Sequence, residues 1–173
     1  LIFSSFPFFW VWPQVIPAGK TKITILARPD MLSKKCKYAI HALVFLAERY
    51  GEGPVQIGEI AERQNIPKKF LEAILLELKN GRILNSKKGK GGGYYLQRKP
   101  EEINLTEVIR LTNGAIALLP CVSLNFYEAC EECIDEKHCT IRTTFLTIRD
   151  ETLKILAGSN LAALVKRQKK TKK

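Results

Sequence analysis

The chain has 173 residues, of which 46% are hydrophobic and 26% charged, proportions that fit a folded globular protein and exclude a disordered or collagen-like chain. Lys and Arg number 28 against 17 Asp and Glu, a formal net charge of +11, which favours a polyanionic partner such as nucleic acid and leaves the fold open. Residues 1–30 carry +2 and the run Lys166 to Lys173 carries +6, leaving only +3 for residues 31–165. A lysine run at a terminus is ordinarily a solvated tail, so a basic surface has to rest on local clusters.

The segment Leu1 to Ala18 holds four of the eight Phe and both Trp, Trp10 and Trp12. Pro7, Pro13 and Pro17 interrupt it, and neither helical nor alternating periodicity runs through it. It makes a poor membrane span and lacks the charged start and small-residue cleavage site of a secretory signal. The only Met is Met31, and everything after it is periodic and capped. The reading is therefore a start at Met31 with residues 1–30 an upstream extension outside the fold, a membrane-contacting arm being the alternative. With that segment set aside, no targeting or spanning segment remains and a cytoplasmic location is expected.

From Ser33 to Tyr50, Ala39, Ile40, Leu43, Leu46, Ala47 and Tyr50 recur at three and four, the stripe of an amphipathic helix ended by Gly51 and Gly53. A short helix is expected over Ile57 to Gln64, followed by Asn65, which tolerates a left-handed turn. Pro67 then opens a third helix with Phe70, Leu71, Ile74, Leu75 and Leu78 inward. Lys68, Lys69 and Glu72 face outward at the end a recognition helix presents to DNA, or form a plain solvated face. Arg82 to Ser86 and Tyr94 to Gln97 have strand character, and Lys87, Lys88, Gly89, Lys90, Gly91, Gly92 and Gly93 lie between them. That is a hairpin directly after a helix-turn-helix, with a glycine-rich, lysine-bearing tip able to approach a phosphate backbone. The same loop fails as a dinucleotide fingerprint, because Tyr94 stands at the sixth position from Gly89, and as a P-loop, because Gly91 follows Lys90. Asn104 with Glu107 three residues on forms a capping-box pattern for a short helix that stops at Asn113-Gly114.

Cys121, Cys130, Cys133 and Cys139 follow, with gaps of eight, two and five residues in a polar stretch, whereas Cys36 sits singly in the first helix as a small hydrophobe. In a reducing compartment, soft-metal ligation explains the four better than a disulfide pair. A zinc ribbon shows two CxxC pairs and only Cys130 to Cys133 is one, so the gaps lean toward an iron–sulfur cluster with zinc still open. A thioredoxin-like role for that pair needs a βαβ pattern the chain does not show. The two histidines, His41 and His138, suggest no hydrolytic site, although His138 stands next to Cys139. Beyond it, Ile141, Phe145, Ile148, Thr152 and Ile155 alternate at four and three, either a dimer seam or a stripe packed on the domain's own core.

Tyr38-Ala39-Ile40, Ile60-Ala61-Glu62-Arg63, Phe70-Leu71-Glu72, the run Lys88-Gly89-Lys90-Gly91-Gly92-Gly93-Tyr94 and a cysteine loop before a long helix together resemble the IscR/NsrR/CymR-type family of bacterial winged-helix transcription regulators. The resemblance covers residues 31–165 and closes on Ser159-Asn160-Leu161-Ala162-Ala163-Leu164. It implies a homodimer joined through the long helix, with the third helix in the major groove and the wing at the minor groove of a palindromic operator. It further implies that Glu72 discriminates operators, that Lys88 contacts the minor groove, and that loop cysteines carry a 2Fe-2S or 4Fe-4S cluster in many members. The best-known pattern spaces three cysteines by five and five residues and may add a histidine three positions on; here that position is Arg142, Tyr127 replaces one cysteine, and a fourth cysteine is present.

The expected fold is thus mostly α with a small β-hairpin wing. A winged helix-turn-helix spans 31–100, a cysteine-loop and dimerisation region 101–165, and a basic tail 166–173. The expected function is transcriptional regulation without enzymatic activity, membrane attachment or a small-molecule substrate. Lys68 and Lys69 would sit on phosphates and Glu72 on bases, Lys87, Lys88, Lys90, Gly91, Gly92 and Gly93 would form the wing contact, and the four loop cysteines would hold the metal. A zinc-stapled interaction module and a dithiol redox enzyme are the rival readings.

Overall fold

Ser33 opens the fold by accepting the Cys36 N–H on its Oγ at 3.2 Å, which caps α1 (Lys34–Glu48) and satisfies a donor that has no partner inside the helix. The computed structural model describes residues 32–171; the expected start at Met31, the extension over 1–30 and the last two lysines of the tail lie outside the described residues. Helix α1 buries Cys36, Ala39, Ala42, Leu43, Phe45, Leu46 and Ala47. Tyr50, expected on that stripe, is instead exposed, because the helix ends at Glu48 and the helical period no longer governs where it points.

Helix α2 (Ile57–Gln64) stops at Asn65, whose φ of 51° is the left-handed turn expected of it. Pro67 holds the cap position of α3 (Lys68–Asn80), its carbonyl accepting the Phe70 and Leu71 N–H groups at 3.0 Å each. Leu71, Ile74, Leu75 and Leu78 are all fully buried. Phe70 departs from its expected inward place: it lies about 100° around the helix from Leu71, is 41% exposed, and rests edge-on against Tyr38 with ring centroids 5.8 Å apart.

β1 (Leu84–Lys87) pairs antiparallel with β2 (Gly93–Leu96), in register from Leu84 opposite Leu96 to Lys87 opposite Gly93. Val55, between α1 and α2, adds a bridge to Tyr94 through two backbone hydrogen bonds of 2.9 and 2.8 Å, so the hairpin is fastened to the body. A 3-10 turn at Pro100–Glu102 leads to α4 (Leu105–Thr112), capped by Asn104, whose Oδ1 accepts the Glu107 N–H at 3.0 Å. Only that half of the capping box forms, since the Glu107 carboxylate pairs with Arg98. After the cysteine loop come α5 (Thr140–Ala157) and α6 (Leu161–Thr171).

Helix α6 returns to the body and packs on α1, and Leu161 is fully buried. Its start is tied down by the Leu105 N–H to the Ser159 carbonyl at 2.9 Å and the Leu161 N–H to the Ile103 carbonyl at 3.0 Å. The basic run read as a tail therefore begins inside a helix that continues to Thr171. One core joins α1, α2, α3, α4, the hairpin and α6, each fully buried Leu or Ile contributing about 1.5–3 kcal/mol. Among the described residues no helix is long and apolar enough to cross a membrane.

Candidate nucleic-acid interface and cysteine loop

The tight turn at Asn65 fixes α3 against α2, and the Ile66 N–H bonds the Ala61 carbonyl at 2.9 Å, which locks the helix-turn-helix angle. With one face of α3 committed to the core, Lys68, Lys69 and Glu72 are left exposed at its start. Two cations in a first turn that has no acidic residue oppose the positive end of the helix dipole, a cost of about 0.3–1 kcal/mol each. Local conflict of this kind marks a place where stability yields to a ligand, and backbone donors at a helix start together with lysines suit a phosphate.

The wing divides by role. Lys87 ends β1, and Lys88, Gly89, Lys90 and Gly91 form the exposed tip. Gly89 and Gly91 have φ of +95° and +77° with open space where a side chain would stand, so their requirement is conformational. Gly92 and Gly93 serve the hairpin itself: a Cβ on Gly92 would lie 2.3 Å from the Lys87 carbonyl, and one on Gly93 would lie 2.2 Å from the Val55 carbonyl. They let the turn close and let the Val55 bridge form. Since β1 packs on α3, the wing is braced against the helix whose outer face it adjoins in sequence.

In the cysteine loop, Cys121 is buried beside Val122 and Ser123, Cys130 is exposed, and Cys133 and Cys139 are half-buried. Arg149 on α5 anchors the loop by donating to the Val122 carbonyl at 2.7 Å while paired with Asp150. Cys139 caps α5: its Sγ accepts the Arg142 N–H at 3.4 Å, and that backbone donor holds its thiol below the usual cysteine range. Burial and a hydrogen bond with Cys139 push Cys133 up. Cys130 is also pushed up, because its thiol donates to the Glu132 carboxylate at 3.2 Å, a bond that exists only while the proton stays on sulfur. His138 pairs with Asp135, whose carboxyl that contact holds below its ordinary range.

Among the described residues no three His, Cys, Asp or Glu side chains are arranged to hold a metal ion. The donor types, four thiols within one segment of which Cys121 is buried, Cys130 exposed and Cys133 and Cys139 half-buried, suit a soft metal or an iron–sulfur cluster chemically, although their side chains stand ungrouped.

Two features escape the sequence. Glu136 joins both flanks of the loop, accepting from the Tyr127 hydroxyl at 2.8 Å and pairing with Arg142 at 2.8 Å. Tyr127 and Arg142 are the two positions at which the resemblance drawn from the sequence leads one to expect a cysteine and a histidine, and only that departure hints at their contact. The other is that α5 buries no residue fully: Ile141 and Ile155 are more than 60% exposed, while Phe145, Ile148, Thr152 and Leu156 line one side of a solvent-open apolar groove of about 230 Å³ whose other side is Leu32, Ile109 and the 115–118 segment.

The profile of the Rrf2 family, described as an iron-dependent transcriptional regulator, matches residues 32–167. An rrf2-like relative from Rhodobacter capsulatus is 40% identical over 121 residues, 68% of this chain and 81% of that one. Among solved structures, CymR, the global cysteine regulator of Bacillus subtilis, superposes with a TM-score of 0.67 at 28% identity, covering 79% of this chain and 96% of that one. IscR of T. potens superposes with a TM-score of 0.65 at 25% identity, covering 82% and 90% respectively.

Proposed function

The chain belongs to the Rrf2 family of transcriptional regulators, and we propose that it is a homodimeric regulator of duplex DNA whose cysteine loop carries a sensing metal centre. The observation that carries the DNA reading is the cationic, exposed start of α3, on a helix that packs against β1 of a hairpin with lysines at its tip and whose last turn is tied to that strand by Lys79 and Ser86. In this reading Lys68 and Lys69 bind phosphates, Glu72 filters bases in the major groove, and Lys87, Lys88 and Lys90 engage the backbone through the wing, with Gly91 allowing its close approach. Gly92 and Gly93 shape the wing that makes the contact. The domain division follows: residues 31–100 read DNA, 101–165 sense and dimerise, and the basic run from Lys166 supports.

Cys121, Cys130, Cys133 and Cys139 would hold the centre, which supplies redox- or iron-dependent charge when bound. The link from loop to dimer runs through Cys139, because the sulfur that would be a ligand is also the cap of α5. Engaging it elsewhere removes a hydrogen bond from the start of the helix whose exposed Ile141, Ile148 and Ile155 make the dimer seam. A change in the loop thereby biases the spacing of the two recognition helices, and so the population of dimers able to bind a palindrome.

The test is anaerobic purification followed by a visible absorption spectrum and iron, sulfide and zinc analysis of one sample. Charge-transfer bands with matching iron and sulfide support the cluster reading. A colourless protein with stoichiometric zinc makes the loop structural, and a metal-free protein overturns the metal-centre reading while leaving the DNA reading to its own test.

A further inference from the structure

On α3 the side opposite the buried stripe of Leu71, Ile74, Leu75 and Leu78 carries Lys69, Ala73 and Leu76. At 100° per residue these three cluster within about 60° of one another on the side away from the core, with Asn80 one turn beyond them, whereas Glu72 stands to one side. Leu76 is 53% exposed, and Ala73 is exposed one turn before it. An isobutyl group left in water on a helix that has a full core face is not demanded by folding. Lys69 stands on the same face two turns earlier, Glu72 and Glu77 neighbour Leu76 along the helix, and the wing tip that follows α3 in sequence carries Lys88 and Lys90. An occupant of this face meets cations at the start of α3 and an apolar patch at Ala73 and Leu76.

The major groove of duplex DNA suits both wherever thymine occurs, since the C5-methyl is its only apolar group and alanine-type side chains are its usual partners. Resting on the DNA-binding reading above, we propose that Ala73 and Leu76 determine specificity by packing on thymine methyl groups, between phosphate contacts from Lys69 and the base contact of Glu72. Hydrogen-bond readout then comes from Glu72 at the side of this face, and Ala73 and Leu76 select by methyl contact. The site preference should contain fixed thymines adjacent to the position Glu72 reads.

The experiment uses the full chain and a duplex pool with a randomised core, from which bound sequences are selected and the enriched duplex is synthesised with thymine or with deoxyuridine at each position. Deoxyuridine keeps every hydrogen-bonding group and removes only the methyl. Loss of one buried methyl lowers affinity about fourfold, so one or more positions in each half-site should show a drop of that size. Leu76→Ser combined with Ala73→Ser, both at exposed positions, should lower affinity for the thymine duplex and bring the thymine-to-deoxyuridine ratio close to one. Equal wild-type affinity for both duplexes, or an undiminished ratio in the double variant, overturns the proposal and leaves DNA binding standing. Failure to retain any duplex at low salt overturns the DNA reading and this one with it.

Discussion

Cys139 stands in two roles, as a loop thiol next to Cys133 and as the cap of α5, and the Arg142 N–H that makes it a cap also favours its thiolate. The thiolate is the reacting form, so a lowered pKa means reaction begins at lower pH. In metal-free protein, iodoacetamide should modify Cys139 at lower pH than Cys130, whose proton is retained by Glu132. Peptide mass mapping across pH checks this, and identical pH profiles for the two would contradict it. Cys36 should react last, on unfolding, because it is fully buried and burial raises its thiol above the ordinary value. Its neutral form is favoured by folding, so its contribution to stability is complete below the unfolded thiol pKa and is lost as pH rises through the folded one. None of this could be read from cysteine spacing, which marks Cys121, Cys130, Cys133 and Cys139 as a group but does not distinguish a buried thiol from a capped or a solvated one.

Elements were legible wherever one residue type answers one backbone need. Asn65 at the left-handed turn, Asn104 as cap and the bounds of α2 follow from local chemistry and hold in the structure. What tertiary contacts decide was not legible. Phe70 was expected in the core and is half-exposed, Tyr50 was expected on a stripe that ends before it, and Glu107 pairs with Arg98 instead of completing its box. Gly93 shows the same limit, since its need for a missing side chain comes from Val55, 38 residues earlier. Gly93→Ala should therefore loosen the bridge between Val55 and Tyr94, lowering stability and weakening DNA binding together. Gly91→Ala acts only through backbone conformation at the solvated tip and should cost less stability. Denaturant unfolding of the two variants separates these outcomes. Asn104→Ala should destabilise by about 1 kcal/mol through loss of the α4 cap, measurable in the same titration.

The whole molecule has a closed half and an open half. One core unites the winged helix-turn-helix with α4 and α6, while α5 touches α4 and the 120–122 turn without burying any of its residues fully. The period of Ile141, Phe145, Ile148, Thr152 and Ile155 was visible in sequence, yet sequence left open whether the stripe met its own core. The exposure of Ile141, Ile148 and Ile155 favours a second copy, whose helix would remove this surface from water. Ile148→Glu should shift sedimentation toward monomer and weaken binding to a two-half-site duplex far more than to a single half-site. Unchanged sedimentation would overturn the reading of α5 as a dimer seam. The return of α6 is not legible in the sequence, because its lysine-rich end masks the apolar residues Leu161, Leu164 and Val165 that seat it on the body.

The central claim, that α3 and the wing bind duplex DNA through phosphate contacts, is tested most directly by the salt dependence of binding to a selected duplex for wild type and for Lys88→Ala with Lys90→Ala. Each phosphate contact contributes about 0.9 to the slope of log affinity against log salt. The wing lysines of both protomers should be seen as a lower affinity at low salt and a slope flattened by about 2 to 4. Wild-type affinity and slope in the double variant would contradict the account.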